Sequence, residues 1–358
     1  MKKKLLFGLK AIGCILLIIV LLIGILFGYL TIREYRPEAK ESVEVEGTSS
    51  KTVALGDEIT LMTWNIGYGA LGKEVDFFMD GGEMVITADK ERVMENLSAM
   101  STVMQNEDPD ILFLQEVDVD SDRSQEINME EYFQNELSGY NSSYACNYRV
   151  RFIPYPIPPL GKMEAGIVSF SKYDVNEATR VSLPCPFGWP LRLGNLKRCV
   201  LESRIPVEGT DKELVVFNLH LEAYDDGEGK IEQTRVLKEL VEHEVELGNY
   251  VIAAGDFNQV FSNVDTSAYP LQSENSWKPE VIDVEDYGDR FSFLTDASAP
   301  TCRSLEAIYE GSDKESFQYY VIDGFIVSSN VTVEAVENLD LDFENSDHNP
   351  LKLTFKLE

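Results

Sequence analysis

The sequence is poor in histidine, cysteine and basic residues, and the last two shortages count against particular classes of function. It has three histidines and five cysteines in 358 residues, and no two cysteines form a CxxC pattern, so a thiolate zinc site is not expected. Lys and Arg number 31 against 62 Asp and Glu. A surface this acidic repels a phosphate backbone and disfavours nucleic acid as a partner. Without low-complexity stretches or internal repeats, one large globular domain is the simplest organisation.

One long hydrophobic run stands near the N-terminus. Residues 11–30 carry no charge, and a helix of that length spans about 30 Å of hydrocarbon. A cleaved signal peptide is the alternative, but its apolar region is usually about 7–15 residues and ends in a small-x-small site, which is missing here. Four lysines precede the run and two arginines follow it. The positive-inside rule therefore places the N-terminus in the cytoplasm.

These features predict a single-pass protein of the cell membrane with four segments. We expect a basic cytoplasmic N-terminus at residues 1–10, a transmembrane anchor at 11–30, a polar stalk at 31–55 and an extracytoplasmic globular domain at 56–358. Four cysteines lie outside the anchor and allow three pairings into two disulfides, or they remain as reduced core residues. They are Cys146, Cys185, Cys199 and Cys302.

The acidic excess is interrupted once, at residues 149–204, which hold nine basic and four acidic residues. Two Pro-punctuated aromatic segments in this window, 152–160 and 184–190, are unsuited to helices or central strands and are predicted loops. Apolar loops beside basic residues suit an anionic, amphiphilic ligand or a phospholipid surface. Ordinary fluctuation of surface charge and a hydrophobic lid over the core are the alternatives.

Short apolar runs predict buried strands, and two amphipathic stretches predict helices. The strands are expected at 59–66, 111–117, 166–170, 214–221, 251–254, 320–327 and 351–357. The helices are expected at 88–105 and 232–247, whereas the acidic residues 262–300 are predicted to be an extended loop region. Because the strands outnumber the helices and do not alternate strictly with them, stacked mixed sheets with helices outside are favoured.

Polar side chains recur at the ends of these strands. A carboxylate, amide or imidazole within an apolar strand costs free energy unless it is paired or binds a metal. One such residue can be a satisfied core group, but repeated occurrences indicate a site. These residues are Asn65, Glu116, His220, Asp256, Asn258, Asp323, Asp347 and His348. The third histidine, His243, falls on the apolar side of the second predicted helix and is interpreted as structural.

The order of these motifs resembles the endonuclease/exonuclease/phosphatase superfamily, which includes deoxyribonucleases, apurinic endonucleases, neutral sphingomyelinases and inositol polyphosphate 5-phosphatases. The resemblance covers about residues 59–357 and implies an α/β fold, a four-layered α/β/β/α sandwich of two mixed β-sheets flanked by helices. It rests on six motifs in series: Trp64-Asn65, Gln115-Glu116, Asn218-Leu219-His220-Leu221, Gly255-Asp256-Phe257-Asn258, Ile322-Asp323 and Ser346-Asp347-His348.

The resemblance implies a divalent-cation site for Mg²⁺ or Mn²⁺, with the number of ions left open. Glu116 would be the principal ligand, Asn65 would assist it, and Asp347 would contribute to metal binding. Such ions prefer hard oxygen ligands and keep several waters, so they can contact a phosphate directly. A phosphate ester is already anionic, which makes neutralisation of added negative charge part of its hydrolysis.

The resemblance also implies the catalytic residues. His348 would be the general base, and Asp323 would accept its second N–H and fix the tautomer. Asp256 would orient or activate the attacking water, and Asn258 would hold a phosphoryl oxygen. His220 would contact the phosphate or help the leaving group, which is typical of the deoxyribonuclease and sphingomyelinase branches.

The sequence therefore predicts a membrane-anchored, metal-dependent phosphoesterase that hydrolyses a phosphodiester or phosphomonoester of a lipid or small molecule. A surface-tethered nuclease acting on extracellular nucleic acid is the second hypothesis, which the charge disfavours. An inactive membrane-anchored binding module is the third. The natural substrate and the oligomeric state stay open.

Overall fold

The computed structural model describes residues 2–225, 227–274 and 276–358, and Met1 of the predicted cytoplasmic segment lies outside them. The described residues form four α-helices: α1 (Lys2–Ile32), α2 (Lys90–Glu107), α3 (Met129–Glu136) and α4 (Glu228–Glu246). They also form 17 strands: β1 (Lys40–Val43), β2 (Glu58–Asn65), β3 (Ile111–Asp118), β4 (Asn141–Ile153), β5 (Gly161–Ser171), β6 (Glu177–Ser182), β7 (Cys199–Pro206), β8 (Glu213–His220), β9 (Tyr250–Asp256), β10 (Gln259–Phe261), β11 (Glu280–Ile282), β12 (Phe291–Leu294), β13 (Cys302–Arg303), β14 (Tyr319–Tyr320), β15 (Asp323–Ser328), β16 (Val331–Asn338) and β17 (Leu351–Leu357).

Two large mixed sheets carry the domain. One has seven strands in the order β1-β6-β7-β8-β9-β15-β12, and the other has six in the order β16-β17-β2-β3-β5-β4. Among the described strands of these sheets, β2 and β3 are parallel neighbours, as are β8 and β9, while the other neighbours are antiparallel. Because parallel strands end at the same edge of a sheet, each pair brings its last residues together.

Three apolar clusters hold four layers together. The two sheets bury their inner faces against each other, with Phe113 and Phe355 from one and Val216 and Ile252 from the other. The outer face of the six-stranded sheet packs on α2 and α3, and that of the seven-stranded sheet packs on α4. Burial of apolar surface on both faces of each sheet is the main force that stabilises this arrangement. The predicted α/β/β/α sandwich is confirmed.

The first predicted helix of the domain matches α2 closely. Asp89 caps its N-terminus by accepting a hydrogen bond from the backbone N–H of Arg92 at 2.9 Å. Val93 and Leu97 belong to the buried stripe, and the helix ends at Asp108 in the left-handed region. In the second helix the placement of His243 was wrong: this residue is exposed in the last turn of α4.

Residues 262–300 were wrongly predicted as an extended loop. They contain β11 and the edge strand β12, whose Phe291 and Phe293 pack against Tyr287. The long strand β4 and the strands β6 and β7 were not predicted either. Buried polar residues such as Asn141 and Ser143 interrupt the apolar pattern of β4, so only tertiary hydrogen bonding reveals it as a strand.

The N-terminal helix leads directly onto the domain. Its segment Lys4–Ile32 is long and apolar enough to cross a membrane, a test that a signal sequence also passes. Within the segment predicted as a stalk, β1 pairs with β6 and forms the edge of the seven-stranded sheet. Glu46, Lys51 and Val53 then make isolated bridges to the domain. The five cysteines are free thiols, and three of them are buried.

Candidate active site

The predicted site residues meet where the parallel strands end. Asn65 is the last residue of β2 and lies beside Gln115 of β3 in the sheet register. In the other sheet, His220 ends β8 opposite Asp256, and Asp256 in turn lies opposite Asp323 at the start of β15. Strand register therefore places residues from both sheets at one edge of the sandwich.

Two glycines in or next to the motifs are required by close packing. Gly255 has φ +148°, and a Cβ at that position would lie 2.0 Å from the carbonyl oxygen of Leu219. Gly67 has φ +50°, and a Cβ there would lie 2.8 Å from Oδ1 of Asp347. Both conformations favour glycine because a side chain would clash. The glycines therefore let β9 approach β8 and let the Asp347 loop approach β2.

An irregularity in β3 aims Glu116 at the site. The pairing of β3 with β5 shifts register between Leu114 and Val117, and Glu116 adopts φ +56° within this bulge. Bulges re-aim a side chain at the end of a strand, and a left-handed conformation costs free energy for a residue other than glycine. The surrounding sheet thus imposes a strained backbone on the residue predicted to be the principal metal ligand.

Asn65 joins the carboxylates of the two sheets. Its Nδ2 donates to Oε1 of Glu116 at 3.2 Å and to Oδ2 of Asp256 at 3.0 Å, while its Oδ1 accepts from the backbone N–H of Gly67 at 3.1 Å. The amide nitrogen, rather than the oxygen, therefore faces the carboxylates in this structure. Asp256 also accepts from the backbone N–H of Asn258 at 2.8 Å.

His348 and Asp323 form a buried pair. Nδ1 of His348 lies 3.0 Å from Oδ2 of Asp323, and the indole N–H of Trp64 donates to the carbonyl oxygen of His348 at 2.9 Å. Both partners are at least nine-tenths buried. Burial alone would lower the pKa of His348, but Cys302 and Asp323 raise the pKa well above its ordinary value. The pair therefore favours a positively charged imidazole.

Asp256 lies between the two imidazoles. Its Oδ2 is 3.4 Å from Nε2 of His220 and 3.8 Å from Nε2 of His348. Burial, together with repulsion from Asp323, raises the pKa of Asp256 to about 7. Burial and then the Arg198 charge lower the pKa of His220 well below its ordinary value. His220 is therefore neutral, whereas the charged form of His348 is favoured. Asp256, which lies between them, titrates near neutral pH.

The acidic cluster fits a cation. Glu116, Asp256 and Asp347 converge at the strand ends, and burial first, then repulsion from Glu116, raise the pKa of Asp347 to about 6. Carboxylates gathered in this way at a largely buried site lose free energy unless a positive charge compensates them. The ligand atoms that lie closest together belong to Asp256, Asp323 and His348 and to Cys302, Asp347 and His348. Neither group includes Glu116, which approaches the cluster through Asn65.

Asn258, the remaining predicted site residue, makes its side-chain hydrogen bond to a backbone carbonyl and not to another site residue. Asn258 donates its Nδ2 to the carbonyl oxygen of Leu221 at 2.9 Å and has φ +50°. This hydrogen bond joins the loop after β8 to the loop after β9 at the edge of the site. The role that the resemblance implies, a contact with a phosphoryl oxygen, would fall to the second hydrogen of Nδ2, because the backbone N–H already donates to Asp256.

A cleft of about 1170 Å³ opens above these residues. Its floor includes Glu116, His220, Asp256 and His348, and apolar side chains from several loops form much of its wall. On one side the hydroxyl of Tyr224 donates to Oδ1 of Asp80 at 2.9 Å. The cleft therefore combines a polar floor with an apolar wall, which is typical of sites for ligands of small-molecule size.

Two arginines in this cleft were not recognised from the sequence. Arg198 lies near Glu222, with Nε 3.6 Å from Oε2, and its Nε forms no hydrogen bond to any described residue. Arg123 is held by both carboxylate oxygens of Asp118 and lies 3.7 Å from the Tyr68 ring centroid. The only sequence signal was the presence of Arg198 in the basic window, residues 149–204, because neither arginine stands in a recognisable motif.

The basic window does not form a free positive patch. Eight of its nine basic residues make ion pairs with carboxylates within 4.0 Å, and the exposed Arg151 has none among the described residues. Several of these carboxylates come from outside the window, such as Glu34 and Asp108. The long-range pairing neutralises the local excess that the sequence displays, so charge alone does not mark an anion-binding surface here.

A pair of buried amides lies beneath the floor. Nε2 of Gln115 donates to Oδ1 of Asn218 at 2.8 Å, and Nδ2 of Asn218 donates to the carbonyl oxygen of Val168 at 2.8 Å. These bonds cross from the six-stranded sheet to the seven-stranded sheet. They satisfy polar groups in the core and fix the two halves of the site relative to each other.

The fold is similar to solved structures at low sequence identity, which shows the fold alone. The endonuclease/exonuclease/phosphatase from Beutenbergia cavernae DSM 12333 is 18% identical over 84% of this chain and 72% of that chain, with a TM-score of 0.52. The human Nocturnin catalytic domain with bound sulfate anion is 18% identical over 88% and 98%, with a TM-score of 0.51. D. rerio TDP2 complexed with single strand DNA product is 15% identical over 84% and 99%, with a TM-score of 0.52.

No curated protein matches the chain. A family match nevertheless covers most of the domain, from residue 62 to residue 348, and includes every predicted site residue. Members of that family are metal-dependent hydrolases of phosphate esters, so the predicted enzyme class is confirmed. The chain belongs to the Endonuclease/Exonuclease/phosphatase family.

Proposed function

We propose that the protein is a membrane-anchored phosphoesterase that uses a divalent cation to hydrolyse a phosphodiester or phosphomonoester of a lipid or small molecule. One observation carries this proposal. Glu116, Asn65, Asp256, His348 and Asp323 form a continuous series of contacts, with distances of 3.0–3.8 Å between successive groups, and Glu116, Asp256 and His348 of this series line the floor of a large cleft.

The residues of this series can deprotonate a water. An N–H at Nδ1 of His348 would donate to Asp323, which leaves Nε2 to accept the proton of a water in the cleft. Asp256 lies 3.8 Å from that nitrogen and would orient the same water. The water oxygen attacks phosphorus as its proton moves to His348, and the bond from phosphorus to the ester oxygen breaks.

Glu116, Asn65 and Asp347 would hold Mg²⁺ or Mn²⁺. When bound, such an ion neutralises charge on the phosphate and lowers the pKa of a coordinated water. Coordination by Asn65 would require its amide oxygen to face the ion, a rotation of the side chain from the orientation in this structure. Mg²⁺ and Mn²⁺ share this preference for oxygen ligands, so the choice between them stays open.

The other side of the floor can receive the phosphate and the leaving group. The neutral His220 has a buried Nδ1 without a hydrogen-bond partner among the described residues, and Arg198, whose Nε lies 3.6 Å from Glu222 but makes no hydrogen bond to a described residue, lies nearby. Both can donate to an anionic oxygen, and a charged donor in a buried site gives a strong hydrogen bond. Asn258 would position Asp256 through the hydrogen bond of its backbone N–H.

The anchor is supported by α1. Its apolar segment Lys4–Ile32 has no buried residue in its most hydrophobic window, although it lies at the N-terminus, where signal sequences occur. The uncharged length and the missing cleavage site favour an anchor. With four lysines before the span, we propose a cytoplasmic N-terminus and an extracytoplasmic catalytic domain.

A nuclease acting on extracellular nucleic acid is the second candidate. Its support is that one structure with a similar fold, D. rerio TDP2, is complexed with single strand DNA product. Against it, the chain has a formal net charge of −31, and its basic window is neutralised by ion pairs. Salt distinguishes the two, because hydrolysis of a polyanion falls steeply with added monovalent salt and that of a small ester does not.

The full chain in detergent or nanodiscs provides the test. Release of p-nitrophenol from p-nitrophenyl esters, and turnover of DNA, RNA, sphingomyelin, phosphoinositides and nucleotides, would be measured with Mg²⁺, Mn²⁺ and after chelation. We expect metal-dependent turnover of small esters or lipids. If no substrate turns over with either metal, the binding-module hypothesis replaces the enzymatic one.

A further inference from the structure

We propose that the mouth of the cleft docks on the bilayer from which α1 emerges, so that an amphiphilic phosphate ester enters the site directly from the lipid surface. This inference rests on the proposed function and adds a substrate route to it. Two segments form the docking surface: the first rim loop, residues 152–160, and the second rim loop, residues 186–196. Both contribute residues to the cleft wall.

The rim loops expose large apolar side chains to solvent. Ile157 is 93% exposed, Tyr155 70% and Leu191 67%, and Tyr155 and Leu191 also line the cleft. Transfer of such side chains out of water is favourable. A cluster of this kind at the entrance of a site is typical of a surface that binds lipid or protein.

Contacts between the second rim loop and α1 favour lipid over protein as the partner of this surface. The ring of Trp189 in the second rim loop lies 6.0 Å from that of Phe27, and its indole N–H donates to Oγ1 of Thr31 at 3.1 Å. Phe27 belongs to the uncharged run at residues 11–30, within its last turn. If this run spans the bilayer, Trp189 lies at the membrane interface, where tryptophan is enriched.

Charged residues hold this loop against the end of α1. The side chain of Glu34 is 4% exposed and forms an ion pair with Nε of Arg192 at 3.1 Å, and it also lies within 3.9 Å of Nζ of Lys197. The Tyr35 hydroxyl donates to the carbonyl oxygen of Cys146 in β4 at 3.3 Å. The domain is therefore joined to the anchor on the side where the cleft opens, so the entrance faces the lipid.

The charge around the rim agrees with lipid headgroups. Arg151 is exposed beside the first rim loop without an ion-pair partner among the described residues, and Arg36, which forms an ion pair with Glu34 at 2.8 Å, is still 62% exposed just after α1. Basic residues near a bilayer interact favourably with headgroup phosphates. A second copy of the chain would bring a strongly acidic surface instead, since the net charge is −31.

Fluorescence in vesicles tests the docking without any substrate. The full chain would be reconstituted in phosphatidylcholine vesicles with or without bromine on the acyl chains, and the emission added by Ile157→Trp would be measured against wild type. The matched control is Leu247→Trp, because Leu247 is also exposed but follows α4 at the opposite end of β9 from Asp256.

We expect brominated chains to quench the tryptophan at position 157 and to leave that at position 247 unchanged. Equal emission from Ile157→Trp in both kinds of vesicle would overturn the proposal. So would quenching of both variants alike, because the whole domain would then lie on the bilayer. Burial of position 157 that depends on protein concentration and not on bromine would identify a second copy as the partner.

Hydrolysis rates test whether the substrate enters the site from the lipid surface. Hexadecyl p-nitrophenyl phosphate in vesicles would be compared with soluble methyl p-nitrophenyl phosphate, which shares its reacting bond. Ile157→Asp, which alters a residue outside the cleft wall, should lower hydrolysis of the hexadecyl ester about tenfold and that of the methyl ester less than about twofold. Equal changes for the two esters would overturn the route. If wild type hydrolyses neither ester, the proposed function fails, and the quenching experiment still reports on docking.

Discussion

The polar floor and the apolar rim of the cleft are built by different means. The floor lies at the ends of paired strands, where register fixes Asn65, His220 and Asp256 and a buried hydrogen bond joins Asn65 to Asp256. The rim consists of loops whose position depends on contacts with α1, such as that of Trp189 with Thr31. The comparison teaches that changes in the floor should alter chemistry and folding, whereas changes in the rim should alter access alone.

The largest effect is expected from His348→Ala. Removal of the general base should lower kcat for a soluble p-nitrophenyl ester by at least about 10²-fold. The matched control is His243→Ala, because His243 is exposed on α4. Steady-state kinetics at saturating metal would measure both variants. Near-normal turnover in His348→Ala, with its fold retained by circular dichroism, would remove His348 from the mechanism.

Asp323→Asn should lower kcat by about tenfold to a hundredfold, since a charge-assisted hydrogen bond contributes roughly 1.5–3 kcal/mol. It should also change the pH profile. Asp323 raises the pKa of His348, and the base acts when neutral, so loss of the charge should move the acidic limb of kcat/KM to lower pH.

A pH–rate profile of wild type and Asp323→Asn would measure this shift, with the exposed Asp211→Asn as control. An acidic limb that stays in place, or moves to higher pH, would contradict the pairing of Asp323 with the catalytic base.

Glu116→Gln should weaken Mg²⁺ or Mn²⁺ binding by at least about tenfold, because it removes a charged oxygen ligand and keeps the shape of the side chain. Isothermal titration calorimetry would measure the dissociation constant. Glu310→Gln is a suitable control because that carboxylate is 61% exposed. Unchanged affinity in Glu116→Gln would assign the metal to the closer group of Asp256, Asp323 and His348.

Asn218→Ala tests the bonds between the sheets beneath the floor. The free energy of unfolding should fall by about 1–3 kcal/mol, because Val168 loses its buried hydrogen-bond donor and Gln115 loses an acceptor. Urea denaturation of the folded domain would measure it. Asn135→Ala removes a comparable bond on the exposed surface of α3 and should cost little. Equal effects of the two substitutions would show that the amide pair adds no specific stability.

The smallest effect belongs to the rim. Trp189→Ala should leave kcat for a soluble p-nitrophenyl ester within about twofold of wild type, as expected for surface substitutions away from the site. The same variant should loosen the contact with Phe27, which cysteine crosslinking between α1 and the second rim loop could detect. A large loss of soluble-ester turnover would show that rim and floor are one structural unit.

The local sequence pattern could predict much of the fold but fewer of the residues in the site. β17 was predicted at residues 351–357 with its observed bounds, because alternating Leu, Lys and Phe residues show which face is buried. By contrast, β4 stayed hidden because its buried polar residues bond to distant partners, such as Asn141 to Ser49. Arg123 and Arg198 were missed because nothing near them in sequence marks the cleft that they line, although Asp118, the partner of Arg123, is only five residues away.

The sequence by itself determined an apolar helix at the N-terminus, the two-sheet architecture and the polar residues at the strand ends. These depend on the period and composition of short segments, which act locally. Only the tertiary structure decided that Asn65 would contact Asp256, 191 residues away, that the basic window would be neutralised, and that the cleft would open beside α1. Those outcomes depend on strand register and long-range ion pairs, whose partners become neighbours once the chain has folded.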